Sequence, residues 1–131
     1  MTYRVHELKL AQADIRSIFN WIREKSPQGA EAWLDAYEGM IEGLTRFAAH
    51  GVAPENKGAE FKVQQVFFRT RRGSVYRALY LVEGGDVYIL RVRGKGQAEV
   101  RPEELGAPDF VTNVLDWKST VYLGTDSSSR T

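Results

Sequence analysis

The sequence predicts an α+β domain. It reads as an N-terminal strand, an antiparallel helical hairpin, a mostly antiparallel three-strand meander (β-α-α-β-β-β) with the helices on one sheet face, and a C-terminal appendage. Two observations carry this. Between residues 10 and 50 the apolar residues recur with helical spacing, and between 61 and 93 three runs rich in Val, Phe, Tyr, Ile and Leu are separated by Gly-containing connections.

Taken in order, Tyr3 to Leu8 alternates as a short strand, with Tyr3, Val5 and Glu7 on one face and Arg4, His6 and Leu8 on the other. Ile15, Ile18, Phe19 and Ile22 then form the stripe of a helix with one buried face, with Asp14 placed to favour its N-terminus. The helix should stop near Lys25, because Pro27 disfavours helical geometry at Ser26. The same pair opens the next helix, Ser26 as N-cap and Pro27 in its first turn. That helix should run to about Ala49 on the stripe Ala30, Trp33, Tyr37, Met40, Ile41, Leu44, Phe47 and Ala48, with Gly51 as its stop. Gly39 and Gly43 lie on one side of it, where another element could approach closely. Residues 52–60 read as a loop, and 61–69, 75–82 and 87–93 as strands. Pro102, Gly106 and Pro108 mark a boundary. Phe110, Val114, Trp117 and Val121 have the spacing of a short helix, and residues 124–131 the composition of a disordered tail. The expected organisation is a domain over 1–101, an appendage over 102–123 and a tail.

With 131 residues this is one domain's length. The absence of cysteine excludes a disulfide framework, a cysteine nucleophile and a thiolate metal site. No run approaches the roughly 20 apolar residues that span a bilayer, and the N-terminus has no signal-peptide core. A cytoplasmic location, with no membrane partner, no metal and no cofactor, is the expectation.

The net charge of +1 is a cancellation. Residues 1–56 carry six Lys/Arg and eight Asp/Glu; residues 57–101 carry ten and four; residues 102–131 carry two and five. The sheet region is thus +6 between acidic ends, and seven of its ten cations are Arg, the better residue for bidentate phosphate contacts. If the Glu83–Asp86 connection has an odd residue count, Tyr76, Ala78, Tyr80, Val82, Tyr88, Leu90 and Val92 share an uncharged face. Arg77, Arg91 and Arg93 then share the other with Leu79, Leu81 and Ile89. That clean segregation selects the odd loop and an open face with three convergent guanidinium groups. Ordinary pairing with Glu99, Glu83 or Asp86 is the structural alternative. His6 and His50 are expected at the surface.

The strings Val75-Tyr76-Arg77-Ala78-Leu79-Tyr80-Leu81-Val82 and Val87-Tyr88-Ile89-Leu90-Arg91-Val92-Arg93, joined through Gly84-Gly85, resemble the C-terminal hairpin of the RelE/ParE toxin superfamily. The N-terminal strand and helical hairpin agree, so the resemblance covers roughly residues 3–100. It implies the toxin of a type II toxin–antitoxin module (plasmid stabilisation), neutralised by a small antitoxin that wraps it, alone or in a toxin–antitoxin hetero-oligomer or homo-oligomer. ParE-like members inhibit DNA gyrase; RelE-like members cleave mRNA on the ribosome without a metal.

Cleavage would need a base, an acid and cations around the phosphorane. Arg77 matches a substrate-contacting position of RelE-like enzymes, and Arg91, Arg93, Arg69, Arg72 and Lys95 complete the target- or phosphate-binding candidates. The Tyr or His-Tyr pair that RelE-like nucleases carry after the last strand is missing from Gly94 to Arg101, and the catalytic acid and base have no assignment. Gly94-Lys95-Gly96 keeps the basic-glycine character of the ParE-like His-Gly-Arg without its His. The ParE-like reading is therefore preferred to the nuclease. A third reading is a non-toxic binding module of the same fold whose appendage, through Phe110, Trp117 and Tyr122, covers its own basic face or forms an oligomer contact.

Overall fold

The computed structural model describes residues 2–105. The appendage helix and tail expected beyond Gly106 lie outside the described residues. Strand β1 (Arg4–Glu7) leads into helices α1 (Lys9–Lys25) and α2 (Pro27–Arg46). The short strand β2 (Gly51–Val52) and a 3-10 helix (Pro54–Gly58) precede β3 (Gln64–Phe68), β4 (Tyr76–Glu83) and β5 (Asp86–Gly94). The five strands form one sheet in the order β1-β5-β4-β3-β2. β1 runs parallel to β5, and every other pairing is antiparallel. The expected α+β architecture and meander are therefore present.

The helical hairpin turns at Ser26, whose Oγ accepts from the Gly29 N–H at 2.9 Å while Pro27 starts α2. Two boundaries differ from expectation. α1 begins at Lys9, so Asp14 sits beyond its first turn and faces the sheet. α2 ends at Arg46, leaving Phe47 extended and 60% exposed, and Gly51 joins β2 instead of closing the helix. Gly39 and Gly43 face open space, with no element against them among the described residues. Their backbone freedom is not used for close packing.

One layer of core lies between the helices and the sheet. Trp33, Tyr37, Ile41 and Leu44 of α2 meet Phe68, Ala78, Tyr80, Val87, Ile89 and Val92. Trp33, Tyr37, Phe68 and Tyr76 have ring centroids 5.5–5.9 Å apart, in stacked and edge arrangements. Tyr80 is buried there and donates to the Ala48 carbonyl at 2.8 Å; burial pushes its phenol up to about 12. The other sheet face is covered too. Leu79, Leu81, Tyr88 and Leu90 are buried with Leu8, Ala53, Val63, Val100 and Leu105. The open second face expected from the sequence is in fact roofed by the 53–63 and 98–105 segments.

The β4–β5 connection contains two residues, since Glu83 pairs with Asp86. The odd loop is thus incorrect. Gly84 has φ +62° and Gly85 does not share the positive value, the pattern of a type II′ turn. The extra residue sits inside the strand. Leu79 pairs with Arg91 and Tyr80 with Ile89, so Leu90 is a bulge. Before it, Val87 and Ile89 face the helices and Tyr88 the roof, the reverse of the expected assignment. After it, the expected parity is restored, and Arg77, Arg91 and Arg93 share one face.

Candidate target-binding site

The three arginines on that face have different surroundings. Arg77 stands opposite Arg93 in the ladder, and Leu79 opposite Arg91. Arg77 is closed against Glu55 of the 3-10 helix, Nη2 to Oε2 at 2.6 Å and Nη1 to Oε1 at 2.9 Å, with Gln65 accepting at 3.1 Å. The Glu55 side chain is fully buried and also accepts from the Val100 N–H at 3.0 Å. Burial alone would raise the Glu55 carboxyl; the hydrogen bonds from Arg77 and Val100 outweigh it and hold the group below its ordinary range. Arg91 is bound at Nε and Nη2 by the Asp14 carboxylate, at 2.7 and 2.9 Å, and donates from Nη1 to the Glu104 carbonyl. The hydrogen bond to Asp14 raises its pKa further. Asp14 also accepts from the Val92 N–H.

Arg93 is the exception. It donates to the Ala98 carbonyl at 3.0 Å and has no carboxylate partner among the described residues; its buried Nε has no hydrogen bond. It lines a cleft of about 240 Å³ with Phe67, Tyr76, Arg77, Lys95 and Gln97. The cleft depends on Gly94, where a Cβ would stand 2.9 Å from the Tyr76 ring. Gln97 closes the turn by accepting from the Gly94 N–H at 2.6 Å. Burial pushes the Tyr76 phenol above its ordinary range.

The pairing of Phe68 with Tyr76, and of Tyr76 with Gly94, brings the β3–β4 connection to the same end of the sheet. Arg69, Arg71 and Arg72 stand there exposed, as does Lys95. Of the six sequence candidates, Arg69, Arg72, Arg93 and Lys95 are thus gathered at one end, while Arg77 and Arg91 are tied into buried ion pairs. The partners are not Glu99, Glu83 or Asp86. Glu55 and Asp14 are not among the sequence candidates, and the one sequence signal for them is the need of an arginine among buried leucines for a counterion.

The histidines divide. His50 is exposed, as expected. His6 is buried, against expectation: its ring stacks on Tyr88 at 4.5 Å, and Nε2 donates to Asp86 at 2.8 Å. Arg4 donates to the same carboxylate at 2.8 and 3.1 Å. Burial would raise Asp86, but these donors outweigh it and lower it to about 2.

Fold and site together define a small α+β domain with a group of cations that have no ion-pair carboxylate among the described residues, Arg69, Arg71, Arg72, Arg93 and Lys95, at one sheet end. Residues 8–99 match the family model described as the ParE toxin of the type II toxin-antitoxin system, parDE. The chain belongs to that family, as a toxin component with a cognate antitoxin as its partner. It is similar in fold to a solved chain of the chromosomal ParDE TA system from P. aeruginosa, with TM-score 0.56 and 20% identity over 71% of this chain and 96% of that one. No curated protein matches the chain. Among the described residues no helix is long and apolar enough to cross a membrane.

Proposed function

We propose that this chain is a ParE-like toxin that inhibits DNA gyrase and is neutralised by a small antitoxin. The observation that carries the choice over ribosome-dependent mRNA cleavage is the state of Arg77 and Arg91. A nuclease of this fold would aim these cations at the scissile phosphate. Here each guanidinium is closed by a carboxylate at 2.6–2.9 Å and is nearly buried. Both are positioning residues that hold the sheet face. Contact with the target falls to Arg93, Lys95, Arg69 and Arg72 at the cationic end.

Expression without the antitoxin should arrest growth, and the purified chain should inhibit gyrase supercoiling while leaving ribosome-bound mRNA intact. Ribosome-dependent cleavage with unaffected gyrase would replace this reading by the RelE-like one. Normal growth with neither activity would leave a binding module of the same fold.

A further inference from the structure

The cationic end carries apolar surface as well as charge. Phe67 of β3 stands opposite Arg77 of β4, and Arg77 opposite Arg93 of β5, so the three lie in one row across the same sheet face. At the spacing of neighbouring strands, the two ends of this row are about 10 Å apart. Phe67 is 59% exposed, and Val75, two residues before Arg77, is 39% exposed. Both line the cleft of about 240 Å³ that Tyr76 and Arg93 also line. The outer edge of β3 at Phe67 has no strand partner among the described residues, so this apolar shelf is open at its side.

Two tight turns hold cations at the borders of the shelf. The Gly73 N–H donates to the Thr70 carbonyl at 3.3 Å, which puts Arg71 and Arg72 at the two central positions of a turn, both exposed. The Gln97 N–H donates to the Gly94 carbonyl at 3.3 Å, and Gly96 has φ +87°, so Lys95 is the first central residue of a type II turn. Arg69 follows the end of β3, and Arg93 lies near the end of β5. Among the described residues no acid lines the cleft.

A ligand for such a place carries repeated negative charge with a flat apolar group between the charges. A nucleic-acid strand has both in every residue: a phosphate, and a base whose face stacks on an aromatic ring. Four of the five cations are Arg, whose fork binds phosphate oxygens two at a time. A duplex keeps its bases stacked on one another and would leave Phe67 and Val75 in water. An acidic polypeptide meets the cations but has no ring fixed between its charges. A ribose 2′-hydroxyl has no carboxylate or imidazole to meet among the lining residues.

We propose that this cleft binds single-stranded DNA. An unstacked base lies on Phe67 and Val75 beside Tyr76, and the flanking phosphates fall to Arg93 and Lys95 on one side and to Arg69, Arg71 and Arg72 on the other. This deepens the proposed function and rests on the gyrase reading for one point, that the strand is DNA.

Binding is measured on the full-length chain without gyrase, by fluorescence anisotropy of labelled oligothymidylate, oligouridylate and a duplex of the same length. Oligothymidylate should bind about tenfold tighter than either of the others. Its log affinity should fall with log salt at a slope of about −3, the value for four phosphates on a single strand. Arg93→Ala with Lys95→Ala should halve that slope. Phe67→Ala should weaken binding about tenfold with the slope unchanged, and Phe67→Trp should restore it. The exposed ring can be truncated without loss of fold, which thermal unfolding checks. Equal or tighter binding of the duplex or of oligouridylate, or unchanged affinity in Phe67→Ala, would overturn the proposal. Displacement of the strand by polyglutamate of equal charge would overturn it in favour of an acidic protein segment. The two readings fail separately. A chain that inhibits supercoiling without binding the strand overturns this proposal alone; one that binds the strand and leaves gyrase active overturns the gyrase reading alone.

Discussion

The two ends of the β4–β5 ladder treat charge in opposite ways. At the turn end the Asp86 carboxylate, buried, is held by Arg4 and by His6. At the far end Arg93 and Lys95 meet Arg69, Arg71 and Arg72 with no ion-pair carboxylate among the described residues. Between the ends, Arg77 and Arg91 are each matched by an acid brought from another element. The difference follows burial. A charge withdrawn from water requires a partner, whereas the exposed Arg69, Arg71, Arg72 and Lys95 can stand together and keep their field for a ligand; Arg93, half-buried with its Nε unpartnered, lies between the two cases. On the function proposed above, the unpaired end is the one that would meet the target, while the paired residues contribute to stability.

Substitutions along the ladder test this contrast, and the largest effect belongs to the bulge. Deleting Leu90 would put Arg91 and Arg93 on the helix face, where Val92 now packs. The deletion variant should give no cooperative transition in thermal unfolding. Next, Glu55→Ala leaves Arg77 buried without its counterion and should lower stability by about 3–5 kcal/mol in urea titration, while Glu55→Leu with Arg77→Leu should recover most of that loss.

The turn end makes a prediction in pH. The Asp86 carboxyl ionises at about 2 in the folded chain against 3.8 unperturbed. Its contribution is fully present above about pH 4 and is lost as pH falls toward 2. Asp86→Asn should remove on the order of 2 kcal/mol of stability at neutral pH and flatten this acid limb. At the cationic end the expectation reverses. Arg93→Ala with Lys95→Ala should change stability by only about 0.5 kcal/mol and abolish growth arrest on expression. Loss of stability with arrest intact would show the two ends to be alike.

Much of the fold is legible in the sequence because it rests on local periodicity. The stripe Ala30–Leu44, the Ser26-Pro27 break and the three strand runs each carry their own signal. The shared face of Arg77, Arg91 and Arg93 is legible from segregation alone, but its cause is not. A bulge and an odd loop give the same parity at Arg91 and Arg93 and differ only between Asp86 and Leu90, where all residues but the first are apolar and segregation says nothing. Glu55 and Asp14 are hidden for another reason. Their partners are 22 and 77 residues away, and no spacing rule connects a carboxylate in a Pro-Glu-Asn-Lys-Gly loop with an arginine in a strand. His6 reads as a surface residue only while its face is taken as open, and Leu8, Leu105 and Val100 roof that face.

β2 pairs with Gln64 and Gln65 only, so the outer edge of β3 from Val66 to Phe68 has no strand partner among the described residues. Phe67 is exposed beside it, as is Val52. Such a flank is a template for strand addition. Chain produced without its antitoxin should therefore self-associate edge to edge as its concentration rises. Phe67→Lys should suppress that association in sedimentation and leave the core untouched.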